Sequence, residues 1–96
     1  MSIKITCINK DNGYHSNPHE AVADYGWVED GTGKSGKTDR QTMVSWVKSG
    51  VVAYVEDNYR TRAFCYVNKS INGTEFLETR RDGRVTNNLL SLPECS

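Results

Sequence analysis

The strongest constraint on the fold is a hairpin signal in the second half of the chain. Asn72 and Gly73 separate the alternating apolar and polar residues of Arg62–Lys69 from a second such segment over residues 74–80. Asn-Gly favours the positive backbone φ angles of a two-residue hairpin turn, so two antiparallel strands are predicted. The β-branched and apolar residues 51–56 precede them. We expect these residues to complete a C-terminal three-strand meander.

Two helices are predicted ahead of the meander. Pro18 suits the first position of a helix and the Asn before it suits the cap, which together predict a helix over residues 18–25 that Gly26 ends. Residues 38–41, Thr-Asp-Arg-Gln, fit the capping box that begins a helix. The apolar residues that follow share one face, and Gly50 is expected to end this second helix.

The first residues of the chain complete the predicted fold. Apolar and polar side chains alternate over residues 3–7, which is typical of a half-buried strand. The sequence therefore predicts an α+β fold: a small, mostly antiparallel sheet, made of the C-terminal meander plus the N-terminal strand, with two helices packed on one face. A chain of 96 residues supports one hydrophobic core, so we expect a single domain over residues 1–96.

The charge and hydropathy of the chain limit the classes of partner that it is expected to bind. Twelve basic and twelve acidic residues give a net charge of zero, which argues against non-specific nucleic-acid binding. The longest apolar run, residues 51–55, is too short to span a membrane, and no signal peptide is evident. We therefore expect a cytoplasmic protein without a membrane partner. Three cysteines, Cys7, Cys65 and Cys95, are an odd number and are expected to be reduced thiols.

A glycine-rich segment matches the phosphate-loop pattern at every position. Residues 31–38 are Gly-Thr-Gly-Lys-Ser-Gly-Lys-Thr, the order in which backbone donors, a lysine and a hydroxyl hold a nucleotide and magnesium. Glu29 and Asp30 precede it, where phosphate charge would have to go, and the chain is too short for the βαβ units of that fold. We interpret the segment as a solvated loop and not as a nucleotide hydrolase site. The alternative is binding of an anion or nucleotide without hydrolysis, by Lys34, Lys37, Thr38 and Arg40.

No residue set predicts catalysis, a metal or a cofactor. His15 and His19 have the spacing of helical metal ligands and Cys7 could join them, but Pro18 lies between the histidines and surface positions are favoured. Cys65 lies inside an alternating segment, which predicts a buried, inert thiol. We therefore expect a protein that is not an enzyme.

Arginines and aromatic residues of the meander are the candidate interaction surface. An arginine cluster at a turn can hold a phosphate or an acidic partner, although nearby acids also favour plain salt bridges. Strand aromatics can stack bases or anchor a protein interface, and they can also pack under the helices. The residues in question are Arg80, Arg81, Arg84, Tyr54 and Tyr66.

Several segments, taken together, are familiar as a set. They are Asn-Pro-His-Glu-Ala-Val from residue 17, Gly26-Trp27, Met-Val-Ser-Trp-Val-Lys from residue 43, Ala-Tyr-Val from residue 53, and Asn-Leu-Leu-Ser-Leu-Pro from residue 88. The set resembles a family of small bacterial and phage proteins known only as a domain of unknown function. The resemblance implies a compact, stand-alone cytosolic domain and implies no reaction. In that family residues 31–38 look like a variable loop leading into the second helix.

Three functions remain open from the sequence. The leading hypothesis is a non-enzymatic binding protein, such as a phage or mobile-element modulator that inhibits a host protein. The second is an anion- or nucleotide-binding domain that uses the loop over residues 31–40. The third is a single-stranded nucleic-acid binder that uses the strand aromatics and arginines. An exposed sheet edge can also support a homodimer.

Overall fold

Strands dominate the described part of the chain. A computed structural model describes residues 2–10, 22–56, 59–71, 73–81, 84–86 and 89–95, which contain seven strands and one helix. In chain order the elements are β1 (Ser2–Lys10), β2 (Val22–Glu29), β3 (Ser35–Asp39), α1 (Arg40–Lys48), β4 (Val52–Glu56), β5 (Arg62–Lys69), β6 (Glu75–Arg81) and β7 (Arg84–Thr86).

All seven strands form one mixed sheet in the order β3-β2-β1-β4-β5-β6-β7. Strands that are joined by short connections pair antiparallel, as in the meander of β4, β5 and β6. The pair β1–β4 is parallel, with Ile3 opposite Ala53. A parallel pair needs a crossover connection, and here the β2–β3 hairpin and α1 supply it.

The predicted fold class is wrong, because the described residues form a large mixed sheet and one helix in place of a small sheet with two helices. Residues 22–25, assigned to the first helix, lie in β2 and pair with β1. Residues 18–21 lie outside the described residues. Pairing with β1 buries Val22 and Tyr25 completely, and this burial overrides the local helix-start signal.

Gly26 was expected to end the first helix and instead lies inside β2, opposite Cys7. A Cβ atom at Gly26 would lie 2.2 Å from the Cys7 sulfur. Glycine is therefore needed here because the Cys7 side chain lies directly against the backbone of β2, and not for a left-handed turn.

The second predicted helix is present and begins one residue later than the capping box indicated. The N-cap is Asp39, whose carboxylate accepts a hydrogen bond from the Thr42 amide at 2.7 Å. Hydrogen bonds from the Thr42 side chain and then from this amide lower the pKa of Asp39. Thr38 belongs to β3, and its hydroxyl oxygen accepts from the Trp27 indole at 2.9 Å. Gly50, at a φ of 111°, follows the end of α1.

The hydrophobic core lies between α1 and one face of the sheet. The helix buries Met43 and Val44 and contacts β2, β3, β5 and β6. These strands lie on both sides of the central β1–β4 pair, so the helix lies across the sheet. Trp46 meets Trp27 edge-on, with ring centroids 5.6 Å apart. Because α1 closes this face, the other face of β4, β5 and β6 presents a different set of side chains.

Cys7 and Cys95 form a disulfide, so the expectation of three reduced thiols is wrong. An isolated parallel bridge between Ile8 and Glu94 places residue 95 beside β1 and brings the two sulfurs together. The spacing of the cysteines in the sequence gives no sign of this pairing. Cys65 is a free, buried thiol, as its place in the alternating segment indicated. Within the described ranges, no helix is long and apolar enough to cross a membrane.

A candidate binding surface on the open face of the sheet

Three rows of side chains cross the sheet face opposite α1. Directly opposed residues of antiparallel strands point to the same face, so the register assigns the rows. The central row is Tyr54, Phe64 and Arg80, the next contains Tyr66 and Glu78, and the last contains Glu56 and Arg62. We call Val52, Phe64, Tyr66, Arg62 and Arg80 the open-face surface.

Tyr54 lies buried beneath the open-face surface. Its side chain is only 2% exposed, and its hydroxyl donates to the Asp30 carboxylate at 2.8 and 2.9 Å. Burial and this hydrogen bond raise the pKa of Tyr54. The Arg62 guanidinium lies 4.2 Å from the centroid of the ring and also contacts Glu56, at 3.4 Å. Tyr54 is thus a fixed platform for Arg62 and not an exposed anchor.

Tyr66 and Arg80 form a second ring–guanidinium pair. The Arg80 guanidinium lies 5.1 Å from the Tyr66 centroid. It also donates two hydrogen bonds to one oxygen of Glu78, at 2.6 and 2.9 Å. Glu78 is 3% exposed, and Asn68 approaches its other oxygen at 3.4 Å. Because the buried carboxylate is held by Arg80, the guanidinium is fixed over Tyr66.

Phe64 lies between the two pairs and faces solvent. Its ring centroid is 6.3 Å from that of Tyr54. The side chains of Val52, Phe64 and Tyr66 are 43%, 40% and 45% exposed. Large apolar side chains that remain this exposed side by side make a continuous apolar surface.

A groove runs beside this apolar surface. Strands β4 and β5 pair only from Tyr54 and Phe64 to Glu56 and Arg62, and they separate beyond that point. The separation leaves a groove of about 520 Å³. Its walls include Val47, Val51, Val52, Phe64, Cys65 and Tyr66. The groove is wide enough for an apolar side chain of another molecule.

Of the three arginines selected from the sequence, Arg80 is placed on this surface. Arg81 and Arg84 are opposed across the β6–β7 pair, and their side chains lie outside the described residues. Phe64 and Arg62 were not selected, although alternation along β5 places them on the same face as Tyr66. No pattern in the sequence pointed to Asp30 as the partner of Tyr54.

The phosphate-loop pattern forms a hairpin, and its second half is a strand and not the expected loop. Its backbone amides are already used within the turn: Gly33 donates to the Glu29 carbonyl and Lys34 to the Thr32 hydroxyl. Lys37 and Thr38 are consecutive in β3, so they point to opposite faces. A cradle of free amides with convergent lysine and hydroxyl groups is therefore not formed by these residues.

The four residues of the anion-binding alternative do not converge. Lys34 is exposed in the turn and Lys37 is exposed on β3. The Thr38 hydroxyl is directed to Trp27 on the α1 side. Arg40 opens α1 and lines a separate groove with Thr74 and Glu75.

A family model matches this chain over residues 4–93, and its description is protein of unknown function (DUF3892). The chain belongs to this family. No curated protein and no solved structure matches it. The family resemblance expected from the sequence is thereby confirmed, and the description carries no reaction.

The cysteines of this family member offer no reactive thiolate among the described residues. Burial raises the pKa of Cys65 to about 12, so its thiol stays protonated near neutral pH. Cys7 and Cys95 are joined to each other. His15 and His19, which have the spacing of metal ligands but were expected at the surface, lie outside the described residues. Within the described ranges, no three His, Cys, Asp or Glu side chains lie together as a metal site would require.

Proposed function

We propose that this chain is a non-enzymatic domain that binds another protein through the open-face surface. The observation that carries the proposal is the set of exposed apolar side chains, Val52, Phe64 and Tyr66, bordered by two arginines that are each fixed over an aromatic ring. Tyrosine and arginine are enriched among the residues that dominate protein interfaces. Fixed rings and guanidinium groups lose little conformational freedom on binding, which favours affinity.

The charges on this face favour a protein over a nucleic acid. Arg62 contacts Glu56, and Arg80 is bonded to Glu78. A phosphate backbone is attracted by unpaired positive charge, which these pairs largely cancel. An apolar centre with a paired, polar rim is instead typical of protein interfaces.

The proposed setting is a phage or mobile element whose product inhibits a host protein. The resemblance to small phage and bacterial proteins supports it. A cytoplasmic location belongs to the same proposal. The Cys7–Cys95 disulfide is the feature that weighs against a permanently reducing compartment.

The test compares two surface variants in affinity capture from a lysate of the source organism. One variant carries Phe64→Ser and Tyr66→Ser on the open-face surface. The control carries Ile71→Ser, which removes an apolar side chain that is 97% exposed on the β5–β6 turn. Ile71→Ser should change stability by less than about 0.5 kcal/mol. Phe64 and Tyr66 are more than half covered, so the double variant should cost more, and circular dichroism first establishes that both variants fold.

We expect one protein to be captured in stoichiometric amount by the wild type and by Ile71→Ser, and lost with the double variant. Equal capture by all three would exclude this surface. Loss of capture after nuclease treatment, with steep salt dependence, would replace the proposal with nucleic-acid binding. Recovery of the chain itself would identify the partner as a second copy.

A further inference from the structure

The segment Pro93–Cys95 occupies part of one edge of β1. Strand β2 pairs along the other edge, and β4 covers this edge only from Ser2 to Lys4. Further along, the Ile8 amide donates to the Pro93 carbonyl at 3.0 Å, and the Cys95 amide donates to the Ile8 carbonyl at 3.1 Å. The segment thus fills the position that β4 leaves.

Among the residues that the structure describes, few contacts besides the disulfide hold this segment. The Asn9 side chain donates to the Cys95 carbonyl at 3.1 Å and approaches Glu94 at 3.3 Å. Pro93 and Glu94 are exposed. Two main-chain bonds and two contacts of the Asn9 side-chain amide do not offset the backbone freedom that three ordered residues lose. The disulfide to Cys7 is therefore the main restraint on the segment.

The two cysteines keep part of their surface exposed, and the core residues around them have other partners. Cys7 and Cys95 are each half-buried. Ile8 is fully buried and stays paired with Tyr25 of β2 on its other edge. Leu89 is part of the core, and Leu92, directly before Pro93, packs against it, so the chain stays attached to the core up to the start of the segment.

We propose that the Cys7–Cys95 disulfide is a redox latch that closes the edge of β1 at Ile8. A dithiol reductant supplies two electrons and two protons, the sulfur–sulfur bond breaks, two thiols form and the reductant becomes a disulfide. Residues 93–95 then leave β1 and expose the amide and carbonyl of Ile8. An exposed strand edge of this kind pairs readily with an extended segment of another chain.

The test is amide hydrogen exchange by NMR on the full chain, before and after dithiothreitol. Mass spectrometry with an alkylating reagent first establishes the disulfide and then its complete reduction. We expect reduction to speed exchange of the Ile8 amide by roughly tenfold or more, while the amides of the β5–β6 pair keep their rates. Cys65→Ser should respond to dithiothreitol as the wild type does. The double variant Cys7→Ser and Cys95→Ser should exchange fast at Ile8 with or without the reductant.

Three results would overturn the latch. Unchanged exchange at Ile8 after verified reduction would show that the segment needs no disulfide. Loss of protection throughout the sheet would make the disulfide a requirement for folding. A chain that takes up alkylating reagent at Cys7 and Cys95 without reduction would contain no disulfide to open. If the double variant does not fold, the dithiothreitol series on the wild type still separates these results.

Discussion

Replacing Gly26 by alanine tests the packing that joins β1, β2 and the disulfide. An ideal Cβ atom at Gly26 would lie 2.2 Å from the Cys7 sulfur and 2.9 Å from the Cys95 sulfur, well inside ordinary contact at 3.4 Å. Both sulfurs belong to one disulfide, so neither can turn away alone. Overpacking a filled site costs about 1–3 kcal/mol. Because the obstacle is fixed on both sides, we expect Gly26→Ala to cost about 3 kcal/mol, the upper end of that range.

Thermal unfolding followed by circular dichroism measures this cost. In a domain of this size 1 kcal/mol shifts the melting temperature by about 4–8 °C, so a loss of roughly 12–24 °C is expected. Gly36→Ala is the comparison variant: its Cβ would lie 2.9 Å from the Trp27 ring, which a hydrogen bond to Thr38 and packing against Trp46 hold in place, without the covalent link that fixes the two sulfurs. That variant should lose only about 1 kcal/mol. Equal losses in the two variants would refute the reasoning.

A double-variant cycle assigns the cost to the disulfide. With Cys7 and Cys95 both replaced by alanine, the atoms that Gly26 faces are gone. Gly26→Ala should then cost at least about 1 kcal/mol less than in the wild type. An unchanged cost would mean that the strand backbone, and not the sulfurs, excludes the side chain.

Three further predictions concern the helix cap and the open face. Asp39→Asn keeps the cap bond but removes a carboxyl whose pKa is lowered. In the wild type this carboxyl contributes stability that is lost as the pH falls through that pKa, and the variant should lack this part of the acid sensitivity. Urea unfolding from pH 7 to pH 3 measures the free energy of unfolding of both proteins. Tyr54→Phe should lower the free energy of unfolding by about 1.5 kcal/mol, because it removes the hydrogen bond to the Asp30 carboxylate. In a protein that already carries Asp30→Ala, Tyr54→Phe should change the free energy of unfolding very little. Arg80→Gln should lower the free energy of unfolding by about 2 kcal/mol, because it leaves the buried Glu78 carboxylate without its arginine. Adding Glu78→Gln should restore most of that stability, as measured by chemical unfolding.

The parts of the fold that were predictable are those with local turn and strand signals. The Asn-Gly turn and the alternating β5 predicted the meander because both signals act within a few residues. The helix α1 was predicted from its cap, with an error of one residue. Thr38 and Asp39 are both good caps, and the choice between them depends on the Trp27 indole, a long-range contact.

Most of the missed features depend on pairing between distant segments; the exceptions are the short strands β3 and β7, which pair with their neighbours in the chain and carry no apolar alternation. A helix-start signal lies just before residues 22–25, but these residues pair with the edge of β1 as a strand. The parallel pair β1–β4 joins residues about fifty positions apart, and no local signal encodes it. The Cys7–Cys95 disulfide spans 88 residues and follows from the Ile8–Glu94 bridge. Whether the number of cysteines is odd or even does not show which of them form a disulfide.

The candidate site was predicted in part. Alternation in β5 is sufficient to place Tyr66 on one face, but whether a residue on that face is exposed depends on its neighbours. Tyr54 was selected as an interaction residue and is buried beneath Arg62. Phe64, which was not selected for the site, is exposed because β4 and β5 separate next to it.

Site-specific photo-crosslinking tests the central claim, that the open-face surface binds a protein, most directly. A photoreactive phenylalanine analogue replaces Phe64 in one preparation and the more exposed Ile71 in the control, and both are irradiated in a lysate of the source organism. The account predicts one defined protein adduct from position 64, absent from position 71 and reduced when Arg80→Gln is added. No adduct from position 64, or the same adducts from both positions, would contradict it.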